Sequence, residues 1–170
     1  ALGARAPDRV APAMDPIPVV EDDHVRVTAT LVRHAPVFPA FAYRFDTAGS
    51  SVVFSGDTAP SPNLVRMARG ADVLVHEVFD DSAVERVPSG AGSPSDANDW
   101  QARRQQHHLV TSHTPLSAVG RIAAEAGVRR LVLTHFVPGD DTIPDEHWVK
   151  GVADFDGEVV VARDLMELPL

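Results

Sequence analysis

One sheet whose strands alternate with helices, an α/β fold, is the class that the sequence predicts. Two features point to it. Short runs rich in Val, Leu and Phe recur along the chain, and from position 51 onward helical stretches separate them. The polar residues of chemical interest gather where those runs end: His34, Asp57, Glu77 and His135 each lie at or just beyond such an end. In open α/β sheets the carboxyl ends of the strands are where ligands bind.

Residues 1–24 are rich in Pro, Ala and Asp and read as an extended connecting segment. Residues 25–170 read as one αβ unit. Val25–Val32 alternates as a strand ending near His34, Phe41–Phe45 is a second strand and Ser51–Phe54 a third. A short helix follows, with Ser61 as its N-cap, Pro62 in its first turn and Gly70 as its stop. Asp72–Val75 reads as a buried strand ending at His76 and Glu77. Residues 80–98 read as a loop and 99–106 as a polar helical turn. Thr114 is expected to cap a helix that starts at Pro115, presents Leu116, Val119, Ile122 and Ala126 on its apolar face and stops at Gly127. Leu131–Leu133 reads as a strand ending at His135, followed by a helix over Glu146–Phe155 and a strand over Gly157–Ala162.

Composition bounds the function. The chain of 170 residues has a formal charge of −9, and Lys and Arg form only short pairs, which argues against nucleic acid as a partner. A compact anionic substrate stays compatible, because a bound metal reverses the local field. With no cysteine, disulfides and thiolate ligands are excluded, and eight histidines lean towards a His/carboxylate metal site. No apolar run approaches the ~20 residues of a membrane span, so no membrane partner is expected. A Gly-rich phosphate loop, a Gly-x-Ser-x-Gly elbow and a cysteine nucleophile are all missing, which leaves covalent acyl chemistry without a candidate.

Each residue also has a plainer reading. Gly56 lets the backbone turn and aim Asp57 back over the strand end, yet Asp57 also suits an Asx-turn. His135 suits a metal ligand or a satisfied core histidine. His113 precedes a helix N-terminus, where it could act on an anionic oxygen or lie idle on a loop. His107 and His108 sit in a polar stretch and read as solvent-exposed. Four such residues at strand ends favour the metal reading over coincidence.

The strings Val52–Thr58 (VVFSGDT), Gly70–Glu77 (GADVLVHE), Ser112-His113-Thr114 and Ala126–Phe136 (AGVRRLVLTHF) resemble the ribonuclease Z-like branch of the metallo-β-lactamase superfamily, which includes arylsulfatase-like relatives. The resemblance spans roughly residues 25–165 and implies the C-terminal αβ half of an αββα sandwich. It implies that His34 is a terminal metal ligand, that Asp57 bridges two metals and that His135 is the last ligand of the second. Glu77 and His113 match a catalytic pair beside the metals, with His113 acting on the scissile group or the leaving oxygen. The implied cofactor is Zn²⁺, two per intact site, with Mn²⁺ or Fe also compatible.

The family's His-x-His-x-Asp-His motif is absent. An N-terminal half, on the same or a separate chain, is therefore expected as a partner, with this part inactive alone; a homo-oligomer is compatible with that picture. Asp57 follows His34 by 23 positions, which leaves no room for the long insert that clamps transfer RNA in true ribonuclease Z enzymes. The resemblance thus implies a hydrolase of small phosphodiesters or aryl sulfates. A lactonase or other carboxylic-ester hydrolase, or a non-catalytic remnant of the fold, are the alternatives. Two structural expectations follow: His34, Asp57 and His135 converge to within about 6 Å, and one face of the sheet stays apolar and uncovered.

Overall fold

The computed structural model describes residues 10–82, 104, 107–139 and 142–170. Its elements run β1 (Ile17–Glu21), β2 (Arg26–Leu31), β3 (Phe41–Asp46), β4 (Ser51–Phe54), α1 (Pro62–Ala68), β5 (Val73–Phe79), α2 (Leu116–Ala126), β6 (Arg130–Val137), α3 (Asp145–Gly151) and β7 (Glu158–Val161). The seven strands lie side by side in chain order. Pairing is antiparallel from β1 to β4 and parallel from β4 to β7.

This order explains where the helices go. Three β–α–β units follow one another in the same direction across the sheet, each with a helix in its crossover. Such crossovers are right-handed almost without exception, so successive ones lay their helices on the same face. Accordingly α1 packs on α2 and α2 on α3. The core lies between them and the sheet, built from Val53, Leu64, Met67, Leu74, Val119, Ile122, Leu131 and Leu133. The opposite face carries none of these three helices. Tyr43 and Phe54, cross-strand partners there, keep 38% and 46% of their surface exposed. The expected uncovered apolar face is met only in part among the described residues, because Val73 and Val132, which alternate with Leu74, Leu131 and Leu133, are 4% and 3% exposed.

The structure departs from the sequence reading at several boundaries. Ile17–Glu21, assigned to the connecting segment, is an edge strand paired with β2. Its Pro18 is tolerated because an edge strand has one unpaired side. β5 and β6 do not stop before Glu77 and His135 but run through them to Phe79 and Val137. Thr114 does not cap α2; its hydroxyl donates to the Thr58 carbonyl at 2.6 Å, and the helix begins at Leu116 without a side-chain cap. Gly127 does end α2, at φ 66°, with its N–H on the Ala123 and Ala124 carbonyls. The last helix is shorter than expected, closing at Gly151. The readings for residues 1–9 and 83–98, and most of 99–106, lie outside the described residues. Among the described residues no helix is long and apolar enough to cross a membrane.

Leu74 is fully buried at the centre of the parallel region. Leu74→Ala should cost about 2–5 kcal/mol, the range for truncating a buried leucine. Urea unfolding followed by far-UV circular dichroism measures it, and a loss near zero would contradict the packing described.

Candidate metal centre

The turn after β4 places Asp57. Gly56 sits at φ 57°, and a Cβ there would lie 2.5 Å from the Phe41 carbonyl oxygen. No side chain fits that position, so glycine is what allows β4 to turn this tightly against β3. The turn leaves Asp57 half-buried, with Oδ1 3.5 Å from Nδ1 of His135.

A β-bulge delivers His135. Along β6, Leu133 pairs with His76, Thr134 with Glu77 and Phe136 with Val78, so His135 is the extra, unpaired residue. Its φ is 48°, in the left-handed region that non-glycine residues seldom occupy. In an unbroken strand His135 would share the face of Leu131 and Leu133 and be driven into the core. The bulge lets Phe136 take the core side, against Trp148, while His135 stays exposed.

Glu77 is 1% exposed at the end of the same pair of strands. Its Oε1 accepts the Thr58 N–H at 2.7 Å and Nδ1–H of His113 at 3.1 Å. Its Oε2 has no hydrogen-bond partner among the described residues. The hydrogen bond to Glu77 raises the His113 pKa above the ordinary histidine value; burial opposes this, and the charges of Glu77 and Asp57 add to it. His76, next along β5, is fully buried, donates from Nδ1 to the Glu77 carbonyl at 2.6 Å and is held neutral by burial. It is a core histidine.

His34, half-buried beyond β2, donates from Nδ1 to the Ser112 carbonyl at 3.1 Å. Its ring stands edge-on to His113 with centroids 4.9 Å apart. His108 completes this corner. The sequence reading left it in solvent with His107, yet only His107 is exposed; His108 is half-buried, 5.6 Å from the His34 ring and 5.5 Å from the His113 ring. Burial lowers its pKa, and the neighbouring His113 and His34 lower it further. Residues 107–112 are helical, so the i, i+4 spacing of His108 and Ser112 was the available signal.

Two donor sets result. One atom each from Asp57, His113 and His135 lie mutually within 4.8 Å, and so do one nitrogen each from His34, His108 and His113. His113 belongs to both. Asp57 and His135 are therefore brought together directly, and His34 joins them through His113. An imidazole and carboxylate set of this kind suits Zn²⁺, with Mn²⁺ and Fe also accommodated. The partnerless Glu77 oxygen leaves negative charge beside it, which fits a cation.

Residues 8–136 match the model of the β-lactamase superfamily domain. The chain belongs to the metallo-β-lactamase superfamily. Ribonuclease Z of Mycobacterium tuberculosis (strain ATCC 25618 / H37Rv) is 30% identical over 149 residues, covering 87% of this chain and 50% of that protein. Ribonuclease Z of Mycobacterium avium (strain 104) is 34% identical over 149 residues, covering 87% of this chain and 48% of that one. The chain thus spans about half the length of these curated relatives. Among solved structures, the metallo-β-lactamase fold protein YhfI of Bacillus subtilis superposes with a TM-score of 0.60 at 21% identity, over 92% of this chain and 51% of that one. The short form of human tRNase Z gives 0.57 at 20% identity, over 92% and 47%. These likenesses show that the fold of this superfamily is shared.

The exclusion of nucleic acid is corrected by these findings, since the curated relatives carry the name ribonuclease Z. The physical reason is that formal charge summed over a chain says little about a centre built around cations, which set the local field themselves.

Gly56→Ala should destabilise the protein by about 2 kcal/mol or more, combining a left-handed backbone with a clash against Phe41. An unchanged thermal midpoint would show that the turn tolerates a side chain.

Proposed function

We propose that the complete protein is a metal-dependent hydrolase of phosphodiesters, with RNA as its first substrate class. The observation that carries this is the convergence of Asp57, His113 and His135 donors within 4.8 Å. The name of the curated relatives supports RNA. In this reading His34, Asp57 and His135 would hold divalent cations, zinc by default. Cations held there supply Lewis acidity and lower the pKa of a water that attacks phosphorus.

The chain's own residues position and move protons. Glu77 holds His113 by Nδ1–H and so leaves Nε2 for the reaction space. Its carboxylate favours the imidazolium, which donates a proton to the departing oxygen as the ester bond breaks. Asp57 and His135, the more exposed pair, face the incoming substrate.

The uncovered Tyr43 and Phe54 face supports a second αβ half in the complete protein, packing on it and bringing the remaining ligands. The share of the relatives' length that the chain spans agrees with this.

A second reading, small phosphodiesters or aryl sulfates on the same site, is favoured by the 23 positions between His34 and Asp57, too few for a long RNA-clamping insert. Turnover of a short RNA, bis(p-nitrophenyl) phosphate and an aryl sulfate, compared at equal metal loading, separates the two.

Two substitutions test the site. Asp57→Asn should lower both turnover and bound metal, the latter read by elemental analysis. His113→Ala should lower kcat by ~10²–10⁴, the usual contribution of a general acid, while the cations at His34, Asp57 and His135 are retained. Full activity in His113→Ala would remove His113 from the mechanism, and loss of those metals would make it a ligand instead.

A further inference from the structure

We infer that Ser112 is a positioning residue that sets the tautomers of His34 and His108, so that both rings offer Nε2 as an unprotonated donor. Ser112 is fully buried at the end of the helical residues 107–112. Its hydroxyl donates to the Ala35 carbonyl, while its own carbonyl accepts Nδ1–H of His34 at 3.1 Å. Two bonds of opposite direction therefore clamp residues 34 and 35 to residue 112, across 78 positions of chain.

Proton counting then fixes both rings. A carbonyl oxygen only accepts, so the His34 proton sits on Nδ1. A hydroxyl has one proton, and that of Ser112 is given to Ala35. Toward Nδ1 of His108, 3.1 Å away, the Ser112 oxygen can then only accept. The His108 proton is thus on Nδ1 as well. The third ring, His113, spends its Nδ1 on Glu77. In His34 and His108 Nε2 is the nitrogen left over, and one nitrogen from each lies within 4.8 Å of the other and of one from His113.

The importance of this arrangement rests on the metal reading above, because a cation takes only the unprotonated nitrogen of a neutral imidazole. An outer partner that fixes ring and tautomer is typically worth about 10- to 100-fold in metal affinity.

The test uses long-range ¹H–¹⁵N spectra of the histidine rings together with Zn²⁺ titration. In the metal-free protein both His34 and His108 should show the Nδ1–H tautomer. Ser112→Ala should shift His108 towards the Nε2–H form, loosen His34 and weaken Zn²⁺ binding about 10- to 100-fold. Ser112→Thr, which keeps the hydroxyl, should restore both. An Nε2–H tautomer for either ring in the unaltered protein would overturn the inference. So would a Ser112→Ala protein that loses stability but keeps both tautomers and the same Kd. The tautomer readout needs neither metal nor turnover. The expected tautomers in a protein that binds no Zn²⁺ would therefore support the role of Ser112 and refute the metal reading alone.

Discussion

A carboxylate taken out of water costs several kcal/mol unless donors meet it, and Glu77, 1% exposed, is one place where this protein carries that cost. Its Oε1 gathers two donors from different parts of the chain: the Thr58 N–H, from the turn after β4, and the His113 ring, from the loop before α2. Thr58 extends the connection. Its hydroxyl accepts the Arg33 N–H, one residue from His34, and its carbonyl accepts the Thr114 hydroxyl, one residue from His113. His34, Asp57 and His113 are therefore each within one peptide unit of a bond to Glu77 or Thr58. Truncating the Glu77 side chain would leave the buried Thr58 N–H without its acceptor and remove the bond that ties His113 to β5.

This arrangement separates holding from reacting. Glu77, Thr58, Ser112 and Thr114 are buried, polar and hydrogen-bonded, and they move little without breaking bonds that water cannot replace. Asp57 and His135 stand at the surface of that frame, half-buried and exposed. Exposed side chains are free to reorient, while the buried frame keeps their backbones in place. The same economy shows in the sheet. Its antiparallel part brings His34, its parallel part brings Asp57, Glu77 and His135, and the pairing changes at β4, which Gly56 follows.

The fold was legible because hydrophobic runs and helix stops are local signals. Val52–Phe54, Val73–Val75 and Leu131–Leu133 read as strands from their apolar runs, although Phe54 stays 46% exposed, and Gly127 marks the end of α2. The placement of Asp57 after such a run was legible for the same reason. What escaped depended on contacts distant in sequence. Ile17–Glu21 looks like linker because its prolines and acidic neighbours dominate its composition, and only pairing with β2 makes it a strand. Thr114 has the chemistry of a cap, yet Thr58 competes for its hydroxyl and wins. His108 sits among glutamines and arginines, and nothing local shows that Ala35 and His34 close over it. The overall charge misled about nucleic acid because it averages over surfaces that have no part in the site.

The bulge in β6 has a consequence for how this gene tolerates length changes. Strand side chains alternate, so one residue more or less exchanges the two faces of everything beyond it. β6 already contains such an exchange: Leu131 and Leu133 read the core face on odd positions, and Phe136 reads it on an even one. Loss of a single codon between Leu133 and Phe136 would leave the hydrophobic pattern intact, even more regular than before, and the strand would still pair with β5. The histidine would be gone, or the aromatic residue would stand in its place. Such a deletion would keep the alternation of β6 and remove the left-handed position that holds His135 off the core face.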